Sequence, residues 1–399
     1  MKLIWNPYLI AVVLLFHLQV SSSNVRLVDV PTLELKDRSP LAYDANQQFA
    51  STFRVTGTLS YLDKDGLYKP GRNYLCRVMD DDLYSADDLL WEAETGRYGY
   101  FESPFLNNYD EDEADQTNGN RLIDVYVFCR TRNSNLGQVL IHPQLRTPYA
   151  FFSAIWKDIN LAQIDRSMTV TQSNNLPAMW LFEDMLRTYE YWDIFSGYDP
   201  VSVTTVWQPE VLSYRSCTET SCFLIPQYPT YPTPEIFISD LYRFSSDNVV
   251  HELGHAYVYG LAGSLGSCPG PHGIKSSSTL SCAWSEGWSE YFALFMNSDG
   301  CYDFGIGPCS GSHVDLENAS FRDNPLTFNF GESVEGRIAG ALYDLTDGNN
   351  ESFDPVGLPL EFVADVVIPF PLEKNFAEFW NGWLTLDNGY ENELNSIFF

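Results

Sequence analysis

The sequence predicts an α+β protein in which an N-terminal β-sandwich is followed by a larger domain of helices and a small sheet. From about residue 48 to 145, short apolar runs alternate with polar residues and are separated by Gly and Asp turns. After about residue 150, apolar residues recur at helical spacing over longer segments. Within that second part, the string VVHELGHAYVYGL at residues 249–261 places two histidines four positions apart, one helical turn from each other.

The first 23 residues are typical of a secretory signal peptide. Lys2 supplies a positive charge, residues 10–16 form an apolar run, and the serines at 21–23 are small enough for cleavage. The apolar run is shorter than the ~20 residues that a membrane-spanning helix needs. We therefore expect cleavage and secretion, with residues 24–47 as a linker and no stable membrane span in the mature chain.

The composition excludes one class of partner. The 399 residues are 45% hydrophobic and 19% charged, which is enough for a large core, and the net charge is −30. Such an acidic excess repels phosphate, so we expect no nucleic-acid partner. The charge itself is explained by the solubility of a secreted protein.

Eight cysteines fit an oxidising compartment. Their connectivity does not follow from sequence, but neighbouring order suggests the pairs Cys76–Cys129, Cys217–Cys222, Cys268–Cys282 and Cys301–Cys309. Two sequons predict glycosylation at Asn318 and Asn350.

The predicted sandwich, residues 48–145, rests on four segments of alternating or β-rich character. They read FRVTGTLSYL, NYLCRVMD, GYFES and RLIDVYVFCR. In the last segment, Ile123, Val125 and Val127 share one face of the strand, while Asp124 and Tyr126 lie on the other.

The second domain, residues 150–399, is expected to contain a helix at 178–195 and strands at 201–206 and 235–239. We interpret Ile236–Ser239 as an edge strand able to align a substrate backbone. A further helix begins near Ser245, Ser246 or Asp247, which are good N-caps, and ends at Gly260 or Gly263.

This further helix carries the metal-binding pattern. Residues four apart in a helix lie about 40° apart around its axis and about 6 Å along it, so His251 and His255 can both reach one zinc ion. Glu252 stands beside the pair, where it can reach a water on the metal. This is the H-E-x-x-H arrangement. An extended pattern with a third histidine is excluded, because Leu261 and Val258 occupy its key positions.

A third ligand is sought in CAWSEGWSEYFALF, residues 282–295. Glu286 lies near the start of a second predicted helix, and Glu290 falls four residues on, on the same face. Taken alone, paired acids on a helix are usually a solvated face. The upstream H-E-x-x-H favours Glu286 as a ligand, with Glu290 accepting the outer N–H of a metal-bound histidine.

HELGH followed by SEGWSEYFA resembles the gluzincin class of zinc metallopeptidases, the group that includes thermolysin-like enzymes. The resemblance implies a zincin-type domain with Glu286 as third ligand and Glu290 as the histidine partner, where the class usually has aspartate. The longer insertion before Glu286 contains Cys268 and Cys282. These two cysteines predict a loop at the rim of the site that is closed by a disulfide bond.

The N-terminal segments VTGTLSYLDKDG, AETGRYGYFES and IDVYVFCRT resemble a transthyretin-like or carboxypeptidase-regulatory-type β-sandwich. This resemblance covers about 100 residues of the chain and implies a second fold beside the metallopeptidase domain. Whether it acts as a pro-segment, a docking module or a spacer does not follow from it.

The predicted function is that of a secreted zinc metallopeptidase with one Zn²⁺ per chain and a peptide or protein substrate. His251, His255 and Glu286 hold the metal, and Glu252 acts on a zinc-activated water as general base. Candidates for stabilising the oxyanion are Tyr343, Arg337, His272 and His313, none of them fixed by spacing.

Two alternatives remain open from the residues. A zinc hydrolase of non-peptide amides or esters would use the same side chains. A secreted binding or adhesion protein would instead rely on the sandwich and carry a structural or vestigial zinc site. A structural site normally takes four protein ligands, however, and the sequence offers three.

Overall fold

The structure of the chain is a computed structural model. It describes residues 51–82, 86–109, 122–218, 220–266, 268–270, 272–307, 309, 312–317, 331–348, 356–369, 375–392 and 397. The predicted signal peptide, the linker, Asn318 and Asn350 lie outside these residues. Within them lie six α-helices and twenty strands, which confirms the predicted α+β class. No helix in this described part is long and apolar enough to cross a bilayer.

The described chain divides into two compact units. The first contains the chain up to Leu62, Leu67–Arg130 and Ala150–Thr171, and the second contains Asp63–Gly66, Thr131–Tyr149 and everything from Gln172 on. The strands of the first unit are β1 (Thr52–Leu62), β2 (Tyr68–Pro70), β3 (Leu75–Asp80), β4 (Leu89–Glu94), β5 (Tyr100–Glu102), β6 (Leu106–Asn107), β7 (Val125–Arg130), β11 (Ala150–Phe152), β12 (Gln163–Asp165) and β13 (Met168–Val170).

Two sheets make up the first unit. Strand β1 pairs in parallel with β12 and β13 and antiparallel with β2, β5 and β6, and the second sheet has the order β11-β7-β3-β4. Phe53, Val55 and Leu59 on β1 are fully buried. The Cys76–Cys129 disulfide joins β3 to β7 at two residues that are register partners. Each of the four segments predicted as strands contains one, namely β1, β3, β5 and β7.

The second unit contains one mixed sheet and two hairpins. Its strands are β8 (Arg132–Asn133), β9 (Gly137–His142), β10 (Thr147–Pro148), β14 (Val203–Val206), β15 (Ser213–Tyr214), β16 (Cys217–Thr218), β17 (Cys222–Leu224), β18 (Glu235–Phe237), β19 (Cys301–Asp303) and β20 (His313–Asp315). The mixed sheet has the order β10-β9-β14-β18-β17, with β8 beside β9.

The edge-strand prediction for Ile236–Ser239 is wrong. Strand β18 pairs with β14 on one side and with β17 on the other, so β17 is the outer strand at this end of the described sheet. The Cys217–Cys222 disulfide lies at the start of β17, just before the chain runs antiparallel along β18. A three-residue strand of this kind gives almost no periodic signal in sequence.

The helices are α1 (Leu176–Ser196), α2 (Ser246–Ala262), α3 (Leu280–Asn297), α4 (Glu335–Thr346), α5 (Leu360–Val367) and α6 (Phe376–Thr385). Of the caps that the sequence allowed for α2, the structure uses Ser245, whose hydroxyl accepts the Asn248 N–H, and Gly263, whose φ is 73°. Helix α3 is capped by Thr279 and is buried along most of its length, including Trp288 and Phe292.

Candidate metal centre

Three side chains converge between α2 and α3. The Nε2 atoms of His251 and His255 are 3.1 Å apart, and Oε2 of Glu286 lies 3.1 Å from the first and 3.2 Å from the second. A tetrahedral zinc ion with ligands at 2.0–2.1 Å holds them about 3.3 Å from one another. The spacing and the donor set therefore fit a zinc site with three protein ligands.

A glycine in the H-E-x-x-H string lets the two helices approach. A Cβ on Gly254 would lie 3.0 Å from Cδ1 of Phe292 and 3.3 Å from Oγ of Ser289, both on α3. That separation is tighter than ordinary van der Waals contact, so a larger residue would push α3 away. The glycine thereby helps to bring Glu286 within reach of the histidines.

The ends of α2 and α3 are fastened by a buried carboxylate. Asp247, in the first turn of α2, accepts hydrogen bonds from the Asn297 side chain and, at 2.6 Å, from the backbone N–H of Asp303. Burial raises the pKa of Asp247 to about 7, although both hydrogen bonds oppose the rise. The contacts link the start of α2 to the end of α3 and to β19.

The electrostatics of the ligands favour positive charge between them. Burial lowers the pKa of His251. Burial also acts to lower the pKa of His255, but the Glu286 carboxylate outweighs it and raises that pKa. Burial acts to raise the pKa of Glu286, yet the two histidines hold it well below its usual range. A carboxylate and two imidazoles whose donor atoms converge in this way are suitable ligands for a divalent cation.

Glu252 lies beside this triangle and is buried. Burial raises the pKa of Glu252 to about 8, and the backbone N–H of Phe223 donates to its carboxylate and opposes that rise. The aromatic ring of Phe223 lies 6.4 Å from the ring of His255 and 5.5 Å from that of Tyr259. Strand β17 therefore borders the centre, which the sequence did not indicate.

Glu290 is buried in α3, with only 2% of its surface exposed. Burial raises its pKa well above the usual range, and the nearby carboxylates of Glu335 and Glu286 add to this. Among the described residues, Nδ1 of His251 and Nδ1 of His255 have no hydrogen-bond partner. The predicted hydrogen bond from a metal-binding histidine to Glu290 is thus not formed. Instead, the ring of Tyr302 packs edge-on against His251 at 5.9 Å.

His272 is the oxyanion candidate that the structure brings to the centre. Its charge interactions affect the pKa of His251, of Glu252 and of His255. Its Nδ1 lies 3.2 Å from Oε2 of Glu335. Sequence reasoning missed Glu335, because 63 positions separate it from His272 and no local pattern connects the two.

The other three candidates lie elsewhere. Arg337 is two residues beyond Glu335, about 200° around α4 and therefore on a different face. Tyr343 is eight residues beyond Glu335, about 12 Å along the helix axis, and is buried near Tyr291. His313 is exposed on β20, paired across the hairpin with Asp303.

A second group of possible ligand atoms is excluded by a disulfide. Cys268, His272, Cys282 and Glu286 bring one ligand atom each to within 4.8 Å of one another. Cys268 and Cys282 are bonded to each other, however, and so provide no thiolate. The bridge closes the loop before α3, and Sγ of Cys268 lies 3.3 Å from Oε1 of Glu286. The other three disulfides also join neighbouring cysteines in sequence order.

A His, His, Glu triangle with a further carboxylate beside it, with only His255 of the three fully buried, is a donor set that mononuclear zinc hydrolases use. Residues 201–390 match the family model of the mycolysin C-terminal domain, a domain of secreted zinc metallopeptidases. The match includes all of the residues in the triangle.

No curated protein matches the chain significantly. Among solved structures, a 9R-lipoxygenase from Cyanothece PCC8801 is 18% identical over 34% of this chain, with a TM-score of 0.18. This chain spans 18% of the length of that lipoxygenase. A candidate carbohydrate-binding protein from Pseudomonas aeruginosa is 12% identical, with the same TM-score, over 32% of this chain and 93% of its own. Neither similarity bears on fold or function.

Proposed function

We propose that the protein is a secreted zinc metallopeptidase that hydrolyses peptide bonds. The observation that carries the proposal is the triangle of His251, His255 and Glu286, with its donor atoms 3.1–3.2 Å apart. The match of residues 201–390 to a domain of secreted metallopeptidases supports it independently.

His251, His255 and Glu286 would hold the metal. When bound, zinc polarises the scissile carbonyl and lowers the pKa of a water toward neutrality. Three protein ligands rather than four are typical of a catalytic site, because the remaining position serves the reaction.

Glu252 would move the protons. It follows His251 in the helix and is close enough to the ligands for His255 and Glu286 to affect its pKa. Its carboxylate takes a proton from the attacking water and passes it to the leaving amine.

Strand β17 favours a peptide over other amides or esters as the substrate. Its outer edge carries main-chain groups next to Glu252, and an extended peptide can pair with such an edge. The side chains of Phe223 and Tyr259 lie beside this edge and would contact apolar side chains of the substrate.

The test is the metal content of the purified mature protein, compared with Glu286→Ala and with Glu361→Ala as a control at an exposed helical glutamate. We expect about one zinc per chain in the wild type and the control, with loss or strong weakening in Glu286→Ala. A peptide-library screen then follows. If the wild type holds no zinc while its disulfides are intact, the proposal is wrong. The protein is then better explained as a binding module.

A further inference from the structure

The loop before α3 carries His272 over the third ligand. The Cys268–Cys282 disulfide closes this loop, and Sγ of Cys268 contacts Glu286. A ring nitrogen of His272 lies within 4.8 Å of the Glu286 carboxylate. The side chain of His272 is 36% exposed, so it also reaches solvent.

Glu335 fixes the position of this histidine. Its carboxylate, whose side chain is 3% exposed, lies 3.2 Å from Nδ1 of His272. The same loop is bound to the start of α4 by main-chain hydrogen bonds from Gly336 N–H to the Ile274 carbonyl and from Ser278 N–H to the Ser333 carbonyl. A Cβ on Gly336 would lie 2.6 Å from the Ile274 carbonyl oxygen, so this contact requires glycine.

Helix α4 is in turn fixed against the helix that carries Glu286. A Cβ on Gly287, the residue after the ligand, would lie 2.6 Å from the carbonyl oxygen of Glu335. Glu335 therefore contacts the segment of α3 that bears the ligand. The contact between Gly287 and Glu335 therefore connects the position of the His272–Glu335 pair to that of the metal ligand Glu286.

The chemistry of this pair suits a donor. When Nδ1–H donates to Glu335, a protonated ring keeps Nε2–H for a second acceptor. The hydrogen bond to Glu335 raises the pKa of His272 to about 9, partly opposed by burial, and so favours this protonated form.

We propose that His272 donates a hydrogen bond to the substrate's carbonyl oxygen as negative charge develops there, and that Glu335 is the positioning residue which holds it. This inference rests on the proposed function, since it assigns a role within the same site. A fixed cationic donor aimed at the developing charge stabilises the transition state more than the bound substrate.

The experiment compares wild type, His272→Ala, Glu335→Gln, the double variant and a His313→Ala control. We expect about one zinc per chain throughout. Loss of the donor lowers kcat about 10²- to 10³-fold with little change in KM. Loss of its positioning partner lowers kcat on the order of 10- to 100-fold. The double variant is no slower than His272→Ala, because Glu335 acts through the histidine.

A pH profile gives an independent signature. Since Glu335 raises the pKa of His272, Glu335→Gln lowers that pKa, and kcat/KM falls at a lower pH than in the wild type. If the buried Glu335→Gln variant does not fold, His272→Ala on the half-exposed loop still tests the donor through kcat.

Three results overturn the inference. Loss of zinc in His272→Ala makes the residue a ligand. Multiplying effects in the double variant mean that Glu335 acts on its own. An unchanged kcat removes both roles. In each case an active wild type with zinc leaves the proposed function standing, whereas a wild type without zinc removes the proposed function and the inference with it.

Discussion

Glu252 is buried and Glu286 is partly buried on adjacent helices, and their surroundings shift their affinities for protons in opposite directions. Burial raises the pKa of Glu252 to about 8. The pKa of Glu286 falls well below its usual range, because His255 and His251 lie against it. This difference agrees with the roles proposed for them, Glu286 as a metal ligand and Glu252 as the group that exchanges protons.

The role of Glu252 gives the first prediction. Glu252→Gln keeps the size of the side chain but cannot accept a proton, so zinc stays bound and kcat falls on the order of 10²- to 10⁴-fold. Zinc content and peptide turnover are measured on the same preparation, with Glu361→Gln as the control. Full turnover in Glu252→Gln would show that the proposed mechanism is wrong.

Asp124, in the first unit, gives a prediction about pH. Burial raises its pKa to about 6, although the Asp158 N–H at 2.6 Å and Lys157 oppose the rise. Because the folded pKa exceeds the unfolded value of about 3.9, the stability from this group is present below about pH 4. It is lost as the pH rises toward about 6.

The carboxyl chemical shift of Asp124, assigned with Asp124→Asn, should titrate near pH 6. The free energy of unfolding of that variant should lose the matching slope between about pH 4 and pH 6. A midpoint near pH 4 contradicts the burial argument.

At the scale of elements, the centre depends on glycines where helices touch. Gly254 admits α3 against α2, and Gly287 admits α4 against α3. A Cβ on Gly287 would also come within 2.7 Å of the Ile338 side chain. At Gly287 the nearest atom is a backbone carbonyl oxygen, at 2.6 Å, which cannot move without moving the helix that carries it.

Gly287→Ala is therefore expected to lower the free energy of unfolding by about 1–3 kcal/mol through overpacking. Gly305→Ala is the matched control, because its Cβ would meet nothing within 4 Å and its φ is not positive. The control should change stability by less than about 0.5 kcal/mol. Urea denaturation of both variants makes the comparison, and equal midpoints and slopes would show that the contact relaxes freely.

The sequence was informative where a pattern is local. Helix α2 spans 17 residues, follows an N-cap at Ser245 and contains both a helical period of apolar residues and the H-E-x-x-H motif. Its two histidines meet as helical geometry requires. The α+β class follows from the same periodicities. Neighbouring order also gives the four cysteine pairs, since each bridge closes a contact between nearby or paired segments.

Contacts between distant segments left no comparable signal. The three residues of β17 are too short to show alternation, so the edge was assigned to β18. The pairing of His272 with Glu335 depends on how α4 packs on α3. The expected bond to Glu290 fails for the same reason, because helical spacing fixes the face of a helix but not the atom that a side chain reaches.

For the whole molecule, the net charge of −30 has a kinetic consequence. A strongly acidic protein attracts cationic substrates over distances comparable to the Debye length, about 10 Å at 0.1 M salt. Between two peptides that differ only in flanking Lys or Glu, kcat/KM should favour the Lys peptide at low salt. The preference should shrink as salt is added. If the preference for the Lys peptide does not change with salt, it arises from direct contacts between protein and peptide instead.

The Cys268–Cys282 bridge makes the candidate centre dependent on the redox state of its surroundings. The loop that it closes contacts Glu286 and carries His272. In the reducing cytosol, where thiols stay unpaired, this loop loses its covalent closure and keeps its hydrogen bonds to the start of α4. Under the proposed function, a newly made chain would then be less active among the host's own proteins and would gain its full activity only in an oxidising compartment.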